Sequence, residues 1–511
     1  MITTIPIQPA PHSGTLQRRQ RWMWALLFVG LNLLTLAVGL LMLRRGPAPT
    51  TVAWLLYLAG LAAIVCRPRW GVYLIVGLTL AGDDRLTWWY PFTKNFSSQE
   101  SLLYAARQLI FSPLETYIVA TFAAWLISSA LRRRLVLRGG PLLGPALLFI
   151  ACISFGLLYG VMRGGNLNIA LWEARSIYYL PAMLVLATNL IRERDQVHRL
   201  IWIAGLAVAL RSLSGLAYVA NELHFQVGTV QSIAEHAFSI HASSFFVLLI
   251  AAWLFRDTWT RRLGLLLLLT PVLISYAANQ RRAGFVVLAV GLALVAVVLY
   301  RERPRVFWVV VPTALLAAAV FLAATWNAGG AIGMPARAVK SVIAPEALSA
   351  RDTLSNSYRV IENINIKFTI TRAPLTGVGF GQKFFTLVPL PDISFFVWHE
   401  YITHNSILWI WMKAGIGGFL SLLLLIWTSV AVGVRALWRL PGDSMSAAAL
   451  TALLYVIMHF LYAYVDMSWD IRSMVYVGTM LGVLNLIERV ALDNSMSAAA
   501  QPAVTEASPR L

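Results

Sequence analysis

About fourteen apolar runs succeed one another along this chain, near residues 22–43, 51–66, 70–82, 113–131, 141–162, 172–191, 199–220, 236–255, 263–279, 284–300, 306–325, 405–430, 447–465 and 472–488. A helix needs about 20 mainly apolar residues to cross the hydrocarbon core, where every backbone N–H and C=O must be bonded within the segment. The repetition of that length dictates an all-α, polytopic membrane bundle of about 12–14 transmembrane helices. Composition agrees: 59% of the residues are hydrophobic and 12% charged, against about 25% charged in soluble chains. The run at 70–82 is short, as expected of a broken or re-entrant element.

The net charge of +19 is distributed in small clusters between the apolar runs, where it sets membrane orientation; no nucleic-acid partner is expected. Cys66 and Cys152 both fall inside apolar runs, which offers neither a disulfide nor a metal site. Arg18, Arg19 and Arg21 precede a first run too long for a signal-peptide core of about 7–15 residues, so an uncleaved first helix is expected. With residues 1–21 as a cytoplasmic tail, alternate connections carry Arg67 and Arg69, Arg132 to Arg134 with Arg138, Arg192 with Arg194 and Arg199, Arg256 with Arg261 and Arg262, Arg301 with Arg303 and Arg305, and Arg435 with Arg439. All of these face the cytoplasm under the positive-inside rule. The opposite connections are poorer in positive charge, "NELHFQVGTVQSIAEHA" having none, and Arg44 and Arg45 are the exceptions.

This count divides the chain into a bundle at 22–325, one large outer loop at 326–404, further membrane helices at 405–488 and a cytoplasmic tail at 489–511, whose last residues have the composition of disorder. Long ordered loops are usually functional. This one predicts an amphipathic helix over Ser355–Thr371, with Ile361, Ile364 and Phe368 on one face, ended by Pro374 and followed by a turn at Gly377, Gly379 and Gly381. A phosphate-binding nest is the functional alternative to a plain turn there.

Arginine inside a span costs about 2.5–3.5 kcal/mol and calls for a reason. Arg175 stands near the outer end of its span, where pairing with Glu173 is the structural alternative to function. Arg211 lies within its span, with Glu222 as a candidate structural partner. Arg281 and Arg282 occupy an outer turn against the charge bias, and interfacial anchoring is their plain reading. His404 opens the next outer-facing helix end, in "WHEYITHNSILWIWMKAGIGGF", so cationic and proton-carrying groups gather at one face.

Read at fixed spacing, that segment gives His404, Asn405, nine residues, Gly415, two residues and Gly418. It resembles the histidine signature of the O-antigen ligase and polymerase superfamily. "PLTGVGFG", from Pro374 to Gly381, is similar to that family's turn, and "NSYR", ending at Arg359, resembles the arginine of its loop helix. The resemblance spans about 280–490 and, more weakly, the helix of Arg175.

The resemblance implies a metal-independent, inverting glycosyltransferase in the bacterial inner membrane, its active site facing the periplasm and needing no cofactor. The donor would be an undecaprenyl-diphosphate-linked glycan, with membrane lipids around it. The acceptor would be a hydroxyl of lipid A-core in a ligase, whose pattern the spacing of the histidine signature resembles more closely, or, as the alternative, of another glycan in a polymerase. Arg175 and Arg282 match the diphosphate-contacting arginines by topological position, with Arg281 an ambiguous neighbour because Gln280 stands where the family more often has Ser. His404 then serves as base or diphosphate contact with Asn405 orienting it, and Arg211, Arg359, Gly377 and Gly379 are candidate substrate contacts. The chain has no Asp-x-Asp pair, which argues against a metal-dependent nucleotide-sugar transferase. Asp83 and Asp84 would be the acids of a different lipid-phosphate-sugar transferase, and a lipid-linked oligosaccharide flippase is the reading from another class.

Overall fold

The computed structural model describes residues 48–133, 136–226, 230, 232–391 and 398–499, with backbone only for 492–499. The expected first span at 22–43, the clusters Arg18 to Arg21 and Arg44–Arg45, Arg134 and the last residues of the tail lie outside the described residues. Among the described residues all regular structure is helical, and eleven helices are long and apolar enough to cross a membrane. Two shorter apolar helices, Arg69–Ala81 and Phe238–Leu254, complete the set of expected runs from 51 onward.

In chain order the helices are α1 Pro49–Cys66, α2 Arg69–Ala81, α3 Pro113–Leu131, α4 Gly140–Met162, α5 Leu167–Arg175, α6 Tyr179–Leu190, α7 Arg194–Asn221, α8 Phe238–Leu254, α9 Trp259–Ala278, α10 Arg282–Glu302, α11 Pro304–Thr325, α12 Met334–Ile343, α13 Ala350–Arg372, α14 Ser406–Arg439, α15 Ser444–Val465 and α16 Ile471–Ala499. A short 3-10 turn, Ser176–Tyr178, joins α5 to α6.

The last two helices form the centre: α15 packs on α8 and α14, and α16 on α6, α15 and α2, while α11 lies outermost with its apolar length exposed. Apolar side chains gain little from leaving lipid for protein, so close backbone approach between small residues supplies the attraction. Gly478 of α16 lies against the Leu180 carbonyl of α6, and Gly156 of α4 against Ala414 of α14.

The basic connections meet one another at one end of the bundle. Arg194 pairs with Asp443, Arg435 and Arg439 both reach Glu488, and the Arg301 guanidinium lies 4.1 Å from the Trp438 ring centre. At the other end, α12 and α13 fill the long connection between α11 and α14, and α13 begins earlier than its hydrophobic pattern suggested because Ser349 caps the Asp352 amide.

Helix α14 is two pieces. Gly415 adopts φ 69° and ψ −171°, a left-handed φ that a side chain resists and that interrupts the ladder. The freed carbonyls of Met412 and Lys413 accept from Val378 N (2.8 Å) and Gly379 N (3.1 Å), and Ile416 N donates to Pro374 O (3.0 Å). The turn at 374–381 is therefore plugged into the helix break.

Candidate active site

A pocket of about 240 Å³ opens where the first turn of α10 meets α12 and α13. Arg281 and Arg282 enter it from α10, Arg337 from α12, and Arg351, Asp352 and Arg359 from α13, with Asp466 from the α15–α16 connection. Five arginines face two aspartates, an excess of three positive charges. Asp352 stands between Arg282 (Nε–Oδ1 3.6 Å) and Arg337 (Nη1–Oδ2 4.0 Å), and Arg359 Nη2 lies 3.7 Å from Asp466 Oδ2. Arg282 also donates to Asn356 Oδ1 (3.1 Å), and Arg281 to Ser232 Oγ (3.3 Å).

These contacts leave donors over. Arg281 Nε, Arg282 Nη1, Arg337 Nε and Arg359 Nε are buried with no hydrogen-bond partner among the described residues. A buried donor without an acceptor costs about 1–3 kcal/mol, more when charged. Four around one pocket are donors that a multiply charged oxyanion would satisfy, since a planar guanidinium binds such oxygens in pairs.

His404 stands beside this pocket rather than in its wall. Glu362, three residues beyond Arg359 on α13, holds it twice: His404 N donates to Oε2 (2.9 Å), and Nδ1 lies 3.2 Å from both carboxylate oxygens. The ring stands edge-on to Tyr358 at 5.7 Å. Asn405 caps α14 by accepting from Leu408 N (3.0 Å) and donates to Asn363 Oδ1 (3.2 Å), tying the helix start to α13.

The glycines serve the scaffold. Gly377 N bonds Ala373 O, Gly379 N bonds Lys413 O, and Gly381 N donates to Glu173 Oε2 at 2.6 Å. The substrate contact expected of Gly377 and Gly379 finds no free amide, and a Cβ at Gly379 would collide with the backbone of Gly160. Lys413 locks the same turn: its Nζ lies 2.8 Å from Glu173 Oε1 and donates to Gln382 O (2.5 Å).

Two expected arginines lie elsewhere. Arg175 forks onto Glu115 (Nε–Oε1 2.5 Å), a residue already fixed by its capping box with Ser112, and Tyr179 adds a bond to the same carboxylate. Its partner is not Glu173. Arg211 is fully buried on Asp83 (Nε–Oδ2 2.8 Å) and Glu235 (3.3 Å), not on Glu222. Asp84 and Glu235 both engage Arg472 (3.2 and 2.6 Å). Against burial, Arg211 and then Arg472 hold the Asp83 carboxyl below its ordinary range. Burial is the largest influence on Glu235, and with Asp83 and Asp84 beside it lifts its carboxyl to about 8 against Arg472 and Arg211. Asp83 is thus buried against Arg211 as a structural partner rather than presented as an accessible acid.

Residues 265–423 match the family described as O-antigen ligase. The matched region runs from α9 through the break in α14, and contains Arg281, Arg282, Arg337, Arg359, Glu362 and His404. Arg175, Arg211 and Asp466 fall outside it. No curated protein matches the chain. The chain is thus a multi-pass membrane protein that carries a region similar to the O-antigen ligase family.

Sequence reading missed Arg337, Arg351, Asp352, Glu362 and Asp466. Two of these carried a local signal: Glu362, three residues after Arg359, and Asp352, seven before it, share its helical face.

Proposed function

We propose that the chain moves a glycan from undecaprenyl diphosphate to an acceptor hydroxyl at the periplasmic face of the bacterial inner membrane, by a metal-independent inverting displacement. One observation carries the reading: the arginine pocket shares two helices with an apolar groove of about 620 Å³. Helix α10 gives Arg282 and Ala283 to the pocket and Phe285, Leu288 and Leu292 to the groove; α12 gives Met334 and Arg337 to the pocket and Pro335 to the groove. At 1.5 Å rise per residue, Leu292 lies about 15 Å along the axis from Arg282. A charged head with a long apolar tail matches that sequence of surfaces, and a diphosphate on a polyprenyl chain is such a molecule.

In this reading the arginines stabilise the charge that grows on the leaving diphosphate, in a site where each donor is already oriented. His404, held by Glu362, contacts the reacting groups, while Arg175, committed to Glu115, serves the scaffold. A flippase would use the same surfaces without forming a bond, but the arginines here gather at one end of the bundle rather than near its middle.

The ligase is the preferred form, with lipid A-core as acceptor. Cells lacking the protein are expected to accumulate long glycan chains on undecaprenyl diphosphate, measured by mass spectrometry of extracted lipids. Accumulation of single repeat units would assign the polymerase instead, and no change in lipid-linked glycan would remove both.

A further inference from the structure

The second aspartate of the pocket wall leads to a second histidine. Asp466 is 1% exposed, and its Oδ1 lies 3.1 Å from His236 Nδ1 in the α7–α8 connection. Met467 N also donates to Oδ1 (2.9 Å), and Tyr462 Oη stands 3.1 Å from Oδ2. His236 carbonyl accepts from Tyr462 Oη (2.8 Å), so backbone and ring are both fixed to the end of α15. The histidine side chain is nevertheless 31% exposed, more than the 20% of His404.

An ionised carboxylate can only accept, so His236 Nδ1 carries the proton and Nε2 is left with a lone pair. Nε2 has no hydrogen-bond partner among the described residues. Burial works against ionised Asp466, but His236, then Arg359 and Arg281, hold its carboxyl well below the ordinary range. Burial, and then Arg281 and Arg85, lower the His236 pKa against the pull of Asp466, favouring the neutral ring.

Two histidine–carboxylate pairs therefore flank Arg359, one through Asp466 and one through Glu362. Only Asp466 belongs to the pocket wall, which puts His236 one hydrogen bond from the arginine pocket. We infer that His236 is the general base for the acceptor hydroxyl, oriented by Asp466, while His404 attends the diphosphate. The inference rests on the glycan-transfer reading. In the step, Nε2 takes the hydroxyl proton and the acceptor oxygen bonds to the anomeric carbon. The electron pair of the broken carbon–oxygen bond leaves on the diphosphate, held by the arginines, and the imidazolium later returns its proton to water.

His236→Asn tests this, because its amide can keep the hydrogen bond to Asp466 while removing the Nε2 lone pair. The full-length protein is reconstituted in phospholipid vesicles with lipid extract from cells lacking it, and anion binding is followed separately as thermal protection by inorganic diphosphate. The expected result is protection within about twofold of wild type and transfer slowed by about 10²–10⁴-fold, the usual worth of a general base. Transfer by His236→Asn at close to the wild-type rate would overturn the inference and leave the transfer reading intact. Loss of diphosphate protection together with transfer would also overturn it, assigning His236 to scaffold or binding. An inactive wild-type protein that still binds diphosphate would overturn both.

Discussion

Arg282→Ala is expected to lower glycan transfer by about 10²–10³-fold, the effect of deleting one preoriented donor to a developing oxyanion. The side chain is two-sided: one edge is spent on Asp352 and Asn356, and Nη1 is buried with no hydrogen-bond partner. Because the scaffold edge is modest, the variant is expected to fold, and the loss is expected in transfer and in thermal protection by inorganic diphosphate. Arg282→Lys keeps the charge but not the planar fork, and should recover only a small part of the activity. Wild-type rates in the alanine variant, at equal protein level in the membrane, would remove Arg282 from the reaction.

The second large effect concerns the scaffold. Lys413 and Glu173 are both completely buried and meet at 2.8 Å, joining α14 to α5 behind the turn at 374–381. Lys413→Met leaves the Glu173 carboxylate without its counter-ion in a site that water does not reach. Breaking such a pair from one side costs about 3–5 kcal/mol, whereas replacing both members costs far less. The single variant is therefore expected to show a markedly lower unfolding temperature in detergent. Lys413→Met with Glu173→Gln should regain much of the difference, since Gln retains an acceptor for the Gly381 amide. A single variant as stable as wild type would show that the pair does not hold the turn in the helix break.

How much of this was legible beforehand follows from the range of each interaction. Spans are local, so apolar runs of sufficient length located thirteen helices among the described residues, including the short ones at 69–81 and 238–254. Arg281, Arg282 and Arg359 stood out because a charge at a span edge or in a spaced signature is visible without its partner, and the fold brings them to one pocket. Partners were another matter. Glu173 and Arg175 are two residues apart and point to different sides of the helix, so the nearest acid was the wrong one; the real partner, Glu115, lies sixty residues back. Arg211 and Asp83 are separated by 128 residues, and His236 and Asp466 by 230. No spacing rule connects such pairs. The glycines misled for the opposite reason: positive φ at Gly377 and Gly379 belongs to nests and to tight packing alike, and only the destinations of their amides distinguish the two.

Glycan transfer is tested most directly with the purified protein in vesicles, supplied with a defined undecaprenyl-diphosphate-linked glycan and an acceptor, in the presence of a metal chelator. The expected result is release of undecaprenyl diphosphate in step with a new glycosidic bond of inverted anomeric configuration. Movement of the intact lipid-linked glycan across the bilayer with no bond formed, or a product of retained configuration, would contradict it.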